Sequence, residues 1–299
     1  MKKMLFILNP CAGMRKANKI LPDIIAAFNR ADYDVSVYIT AASGEARQQT
    51  ASRAAQLDLI VCCGGDGTFN ETVAGLLDSG ADTPIGYIPA GSTNDFANSL
   101  GLSLDNILAA RDIVEGSPKR VDVGLFGSRY FSYVASFGAF TRSSYATPQS
   151  LKNVLGHTAY LLAGISEITQ LKPERVRMEL PDGRVIEDNF IFGAVSNSTS
   201  VAGILTLPAD RVDMSDGKLE IMLLRAPRDL AELSELVTAL QKQTYNCGAM
   251  TFLSTESVAV TASQNMDWTL DGERQAGVSE VKIRCVHEAV QVITREKKA

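Results

Sequence analysis

The chain has 299 residues, 45% hydrophobic and 21% charged, with a net charge of −5 at neutral pH; this is the profile of a soluble globular protein with room for one large or two ordinary domains. The negative balance argues against a nucleic-acid partner, which calls for a basic face. Cys11, Cys62, Cys63, Cys247 and Cys285 show no metal-ligand spacing, and the vicinal pair suits a buried strand in a reducing compartment.

Met4–Leu8 reads as a buried strand stopped by Asn9-Pro10, a run too short for an export signal. Ile20, Ile24, Ala27 and Phe28 then recur at helical spacing. Val35–Thr40 reads as a strand, Glu45–Gln56 as a helix, and Leu57–Cys63 as a strand followed by glycines and a helix from about Phe69 to Leu77. Pro84–Ile88 is a short strand before Pro89-Ala90-Gly91, with a helix beginning near Thr93. This alternation predicts a parallel sheet covered on both faces.

After about Lys119 the pattern changes. Val121–Leu125, Tyr130–Ser136, Val176–Leu180, Val185–Phe192, Leu219–Leu224, Ser257–Thr261, Trp268–Leu270, Val278–Cys285 and Val290–Thr294 read as strands. Turn dipeptides such as Asp182-Gly183 and Asp216-Gly217 join them, and helices are expected over Leu151–Leu171 and Leu230–Gln241. The expected fold is therefore α/β: a parallel α/β domain over 1–124, then a mostly antiparallel β domain over 125–287. No window approaches the ~20 apolar residues of a spanning helix. The expected location is the cytoplasm, with any membrane contact peripheral.

The strongest chemical signal is Gly64-Gly65-Asp66-Gly67-Thr68-Phe69-Asn70-Glu71. Successive glycines expose main-chain N–H groups and let a nucleotide approach the backbone. Thr68 is placed to cap the helix that follows, whose positive end favours phosphate. Asp66 beside a phosphate makes sense if it binds a bridging cation. The segment lacks the Gly-Lys-Ser/Thr ending of a P-loop and is no GxGxxG fingerprint; a plain tight turn that needs glycines is the weaker alternative. Asn9-Pro10-Cys11-Ala12-Gly13 and Pro89-Ala90-Gly91-Ser92-Thr93-Asn94-Asp95 fall at the same sheet edge, as does Thr40. Ligands of open α/β sheets bind outside the carboxyl ends of the strands, so the three loops describe one nucleotide-sized cleft.

The Gly64–Glu71 segment, together with Pro89-Ala90-Gly91-Ser92-Thr93-Asn94-Asp95-Phe96-Ala97, resembles the diacylglycerol kinase catalytic-domain family. The two-domain layout resembles its bacterial soluble lipid kinases over essentially the whole chain. The resemblance implies that Asn9, Pro10, Cys11, Ala12, Gly13, Thr40, Gly64–Glu71 and Gly91–Asp95 bind ATP, with Asp66 acting through magnesium. It implies two lobes facing across a cleft, with the strand of 288–299 returning to the first domain.

Leu270-Asp271-Gly272-Glu273 reads on its own as a hairpin turn. Transfer to an alcohol calls for a carboxylate that accepts the hydroxyl proton, and neither His157 nor His287 lies in a promising loop. The resemblance assigns that role to Glu273, with Asp271 as an electrostatic or magnesium-network helper. It also implies a second magnesium held by Asp216 with main-chain oxygens of Asp213 and Lys218, in a segment that otherwise reads as a turn; Lys218 departs from the family pattern. Val154, Leu155, Leu161, Leu162, Ile165 and Ile168 form a stripe that suits a core or an acyl chain. Arg142, Lys152, Lys172 and Arg175 suit a solvated surface or anionic headgroups. Phe137-Gly138-Ala139-Phe140-Thr141 departs from a Gly-x-Gly-like turn of the relatives. The expected activity is ATP- and magnesium-dependent phosphorylation of diacylglycerol or a related lipid at a membrane surface, with a homodimer left open. The alternatives are an NAD kinase-like enzyme, whose Asn-Glu pair is not found, and a silent nucleotide or lipid sensor.

Overall fold

The structure, a computed structural model, describes residues 1–12, 16–138, 172–201, 205–207, 211–242, 244–245 and 247–295. The chain forms two units, Met1–Val123 with His287–Ala299, and Gly124–Val286. The expected helix over Leu151–Leu171, with Arg142, Lys152 and 139–141, lies outside the described residues, as does Gly13.

In the first unit strands and helices follow one another: β1 (Lys2–Leu8), α1 (Lys16–Arg30), β2 (Tyr33–Ile39), α2 (Glu45–Arg53) with a 3-10 turn at Ala54–Gln56, β3 (Leu59–Gly64), α3 (Asp66–Ser79), β4 (Ile85–Pro89), α4 (Asp95–Ser99), α5 (Asn106–Glu115) and the first part of β5 (Ser117–Phe126), which runs on into the second unit. The strands lie parallel in the order β2-β1-β3-β4, with Leu8 opposite Cys63 and Cys63 opposite Ile88. β3 and β4 are buried along their whole length, as continuous apolar runs covered on both faces must be. On one face Phe6 and Val61 meet Ile24 and Phe28 of α1 and Ala109, Ala110 and Ile113 of α5. Elsewhere α2 and α3 approach so closely that a Cβ on Gly75 would stand 2.3 Å from the Arg47 carbonyl oxygen.

The second unit contains β6 (Arg129–Phe131), β7 (Val134–Gly138), β8 (Glu174–Glu179), β9 (Val185–Ser196), a small ribbon of β10 (Ser200–Val201) and β11 (Leu205–Thr206), β12 (Leu219–Arg225), α6 (Leu230–Lys242), β13 (Met250–Thr255), β14 (Ser257–Thr261), β15 (Trp268–Leu270), β16 (Glu273–Gln275) and the beginning of β17 (Glu280–Thr294). Pairing is antiparallel throughout, and β9 joins β7, β8 and β12. Leu219, Ile221 and Leu223 of β12 alternate into a core with Phe131, Phe137, Val195 and Trp268, as residues on one face of a strand do, while Glu220, Met222 and Leu224 are buried on the other face. The last part of β17 belongs to the first unit, where Val292 lies parallel to Ile85.

Several boundaries differ from expectation. The helix expected from Phe69 begins at Asp66 with Gly65 at its cap position, which puts Thr68 inside the first turn rather than at the cap. Tyr130–Ser136 is two strands, because the N–H groups of Ser132 and Tyr133 turn to the Asp271 carboxylate instead of a neighbouring strand. The two strands expected over Val278–Thr294 are one, with Glu288 in the left-handed region at φ 47° and its N–H donated to the buried Asp122 carboxylate. The helix expected at Thr93 is the short α4. α5, whose Asp105 cap accepts from the N–H groups of Ile107 and Leu108, was not expected; nor was β13.

Candidate active site

In the first unit the loops after β1, β2, β3 and β4 converge on the start of α3. Asn9 donates through Nδ2 to Thr68 Oγ1 at 2.9 Å and accepts from the Cys11 N–H at 2.9 Å, so it fixes its own loop and ties it to the helix. Pro10 is half-buried, Cys11 is exposed, and Ala12 packs at the margin of the core. Thr40 is buried and its hydroxyl leans on the Leu8 carbonyl at 3.4 Å; the side chain closes the end of β2. Gly65 and Gly91 lie backbone to backbone: a Cβ on Gly91 would stand 2.8 Å from the Gly65 Cα and 2.8 Å from Asn94 Oδ1. Gly64 is equally constrained, since its Cβ would meet the Thr68 Cβ at 2.7 Å. Asn94, at φ 51°, accepts from the Gly91 N–H at 2.8 Å and holds the turn closed, leaving Ser92 and Thr93 exposed at its tip.

The start of α3 carries no side-chain cap. Its first N–H groups and the positive end of a 14-residue helix are therefore available to an anion. Asp66 sits at that end but turns away from the helix start. One oxygen accepts from the Phe96 N–H and the other from the Asp95 N–H and the Thr93 hydroxyl, each at 3.3 Å. Burial, and then the neighbouring Asp95 carboxylate, push the Asp66 carboxyl up to about 6 against those three donors. Two acidic groups side by side in a buried setting make a hard-oxygen donor set that suits magnesium. Glu71, five residues on, is committed elsewhere: it accepts from Ser43 Oγ, the Gly44 N–H and the Ala46 N–H at 2.9, 2.7 and 3.2 Å, closing the start of α2. Phe69 is fully buried between Tyr87 and Phe96, with ring centroids 4.5 and 4.4 Å away, and its N–H is bonded to the Gly65 carbonyl. Gly67 and Asn70 lie in the first turns of α3 and are half-buried. Cys62 and Cys63 are inert by position, with burial pushing the Cys63 thiol up to about 12.

In the second unit Asp271 and Gly272, at φ 48° and 86°, form a two-residue hairpin turn between β15 and β16, with Leu270 opposite Glu273. Asp-Gly with both residues left-handed is the type I′ connection that matches strand twist. The Asp271 carboxylate folds inward, is 6% exposed, and accepts from the N–H groups of Ser132, Tyr133 and Val134 at 2.5, 3.0 and 3.0 Å. Glu273 is half-exposed and pairs with Arg129. Sequence reasoning missed Arg129, and a lone arginine after a turn offers no signal of its partner 144 positions away.

Asp213, Asp216 and Lys218 are exposed. Asp213 Oδ1 accepts from the Ser215 N–H and hydroxyl, and Asp216 Oδ1 accepts from the Lys218 N–H at 2.9 Å. Among the described residues no three His, Cys, Asp or Glu side chains gather as metal ligands, so a cation here would lean on main-chain oxygens, which are hard donors appropriate to magnesium.

A nucleotide-sized edge of glycine loops on a parallel α/β unit, followed by an antiparallel β unit, defines a class. The diacylglycerol kinase catalytic domain matches residues 3–126, and the YegS C-terminal NAD kinase beta sandwich-like domain matches residues 134–294. The chain belongs to this diacylglycerol kinase family and is a kinase. It is 34% identical to a diacylglycerol kinase of Bacillus subtilis (strain 168), over 91% of this chain and 90% of that one. A diacylglycerol kinase of Staphylococcus saprophyticus is 31% identical, covering 91% and 89%. The crystal structure of a candidate diacylglycerol kinase from Bacillus anthracis has the same fold, with a TM-score of 0.81 at 24% identity, covering 99% of this chain and 96% of that one.

Proposed function

We propose that the chain is an ATP- and magnesium-dependent lipid kinase that phosphorylates the hydroxyl of diacylglycerol. The observation that carries the nucleotide half is the uncapped start of α3, ringed by the Gly65–Gly91 contact and the Asn9 and Asn94 turns, with the buried Asp66 beside it. In this reading main-chain N–H groups of the glycine segment cradle the phosphates. Asn9 and Asn94 keep the flanking loops in register, and Gly65 and Gly91 keep the floor free of side chains. Magnesium at Asp66 would offset phosphate charge, and Asp216, with main-chain oxygens of Asp213 and Lys218, would hold a second ion. Phosphoryl transfer is governed by positioning and charge stabilisation more than by covalent participation of the protein. The acceptor oxygen bonds to the γ-phosphorus as the bond to the bridging oxygen of ADP breaks, and the hydroxyl proton passes to the Glu273 carboxylate.

Membership in a lipid-kinase family and an acceptor with greasy tails support a site of action at a membrane surface. Among the described residues no helix is long and apolar enough to cross a membrane. Labelled ATP incubated with magnesium and either detergent-dispersed diacylglycerol or NAD tests the reading. Label in phosphatidic acid supports it, and label in NADP alone overturns the lipid assignment. Sedimentation at working concentration tests whether the chain pairs with a second copy.

A further inference from the structure

Arg129 and Glu273 occupy equivalent places in two tight hairpins. In one, Phe126 lies opposite Arg129 across a two-residue loop whose Gly127 has φ 60°. In the other, Leu270 lies opposite Glu273 across Asp271-Gly272. Each charged residue opens the returning strand of its hairpin.

The backbones beneath them are fixed. Gly127 donates its N–H to the Lys282 carbonyl at 3.0 Å. Phe131, two residues beyond Arg129, is fully buried over Gly124, where a Cβ would fall 2.0 Å from the ring. Asp271, two residues before Glu273, binds Ser132, Tyr133 and Val134 through three N–H bonds and returns its own N–H to the Val134 carbonyl at 2.9 Å. The two roots are thereby laced together, and what freedom remains is in the side chains. Across that gap Arg129 Nη2 donates to Glu273 Oε2, while Nη1 reaches the Arg274 carbonyl and Gln275 Oε1, each at 3.4 Å.

The side chains of the pair are 32% and 50% exposed. Ion pairs this wet contribute little to stability, so the arrangement has little value as a structural clamp. Its effect falls on the glutamate itself. A half-exposed glutamate spreads over many rotamers, and a proton acceptor must lie within hydrogen-bond reach of the hydroxyl it serves. A planar guanidinium presents donors in a fixed fork that selects a carboxylate orientation, which a point-like ammonium does less well.

We propose that Arg129 is a positioning residue: anchored by the β5–β6 hairpin, its guanidinium holds the Glu273 carboxylate in the orientation that accepts the acceptor's proton. This rests on the reading of Glu273 as that acceptor and gives it a partner. Arg129 touches no reacting atom.

The test measures kcat and KM for ATP and a short-chain diacylglycerol in mixed micelles, with melting temperatures. The variants are R129A, R129K, E273Q and the double variant R129A/E273Q. R129A is expected to lower kcat about tenfold, the scale set by restoring rotamer freedom to one long side chain. KM for ATP and the melting temperature stay at wild-type values, and R129K recovers part of the lost turnover. In the E273Q background R129A costs nothing further. Wild-type turnover in R129A, a loss confined to KM, or an equal loss with and without Glu273 overturns the positioning role. Wild-type turnover in E273Q instead overturns Glu273 as the proton acceptor, and that result is read from E273Q alone.

Discussion

Asp66 is ionised at neutral pH in a place that resists the charge, and Asp66→Asn exposes the cost. Its carboxyl is raised from 3.8 to about 6 while only 8% exposed. At about 1.4 kcal/mol per pH unit, holding the charge at pH 7.5 costs the fold about 3 kcal/mol. The sign follows from linkage: the folded state binds this proton more tightly than the unfolded chain, so the contribution is intact below pH 3.8 and is lost as pH rises through about 6. Between pH 5 and 7.5 the loss from this group alone is about 1.4 kcal/mol. Asparagine removes the charge but turns one acceptor into a donor against the Thr93, Asp95 and Phe96 contacts, which costs about 1 kcal/mol. The net expectation is a variant about 1–2 kcal/mol more stable than wild type at pH 7.5, without the pH slope, and inactive as a kinase. Urea denaturation at the two pH values with EDTA present reads the free energies. Magnesium added back stabilises wild type by more than it stabilises the variant, which keeps only the site at Asp216. A variant less stable than wild type by the same amount at both pH values refutes the argument, because Asp66 would then be a well-solvated hydrogen-bond acceptor and nothing more.

Three further outcomes test the rest of the site. Glu71→Ala strands the Ser43 hydroxyl and two N–H groups at the start of α2, and should cost about 1–2 kcal/mol in chemical denaturation, with Gln recovering part. Gly91→Ala forces a methyl to within 2.8 Å of Gly65 Cα and Asn94 Oδ1; KM for ATP should rise at least tenfold, and unchanged KM would show that the two loops do not form the nucleotide floor. Asp216→Ala should abolish any rise in melting temperature that magnesium produces at a site over 213–218, while a magnesium response equal to wild type places the ion elsewhere.

The parallel unit was legible because the buried parts of β1 and β3 are short apolar runs that stop at residues poorly suited to a strand, Asn9-Pro10 and Gly64-Gly65. The antiparallel unit was legible in its strands but less so in its breaks. Nothing local at Ser132 announces that its N–H will serve a carboxylate 139 positions later. The same blindness hid Arg129, and hid the donors that the Asp66 and Glu71 carboxylates face. Composition placed both acids beside a phosphate loop, whereas which donor each carboxylate faces depends on helices brought alongside by the sheet. Thr68 was misjudged for a simpler reason: two glycines before an aspartate allow a helix to begin two or three residues earlier than propensity suggests.

Helices α2 and α4 have 9 and 5 residues, too short to persist by themselves in water, and α3 supplies the acceptors at both their beginnings. Their order is thus borrowed from sequence 25 to 30 positions distant. If α3 slips or frays, the stretches 41–46 and 93–97 lose their anchors together. Amide exchange should therefore find one shared opening event for these two distant peptides, and occupancy of the α3 start by a nucleotide should slow both by the same factor.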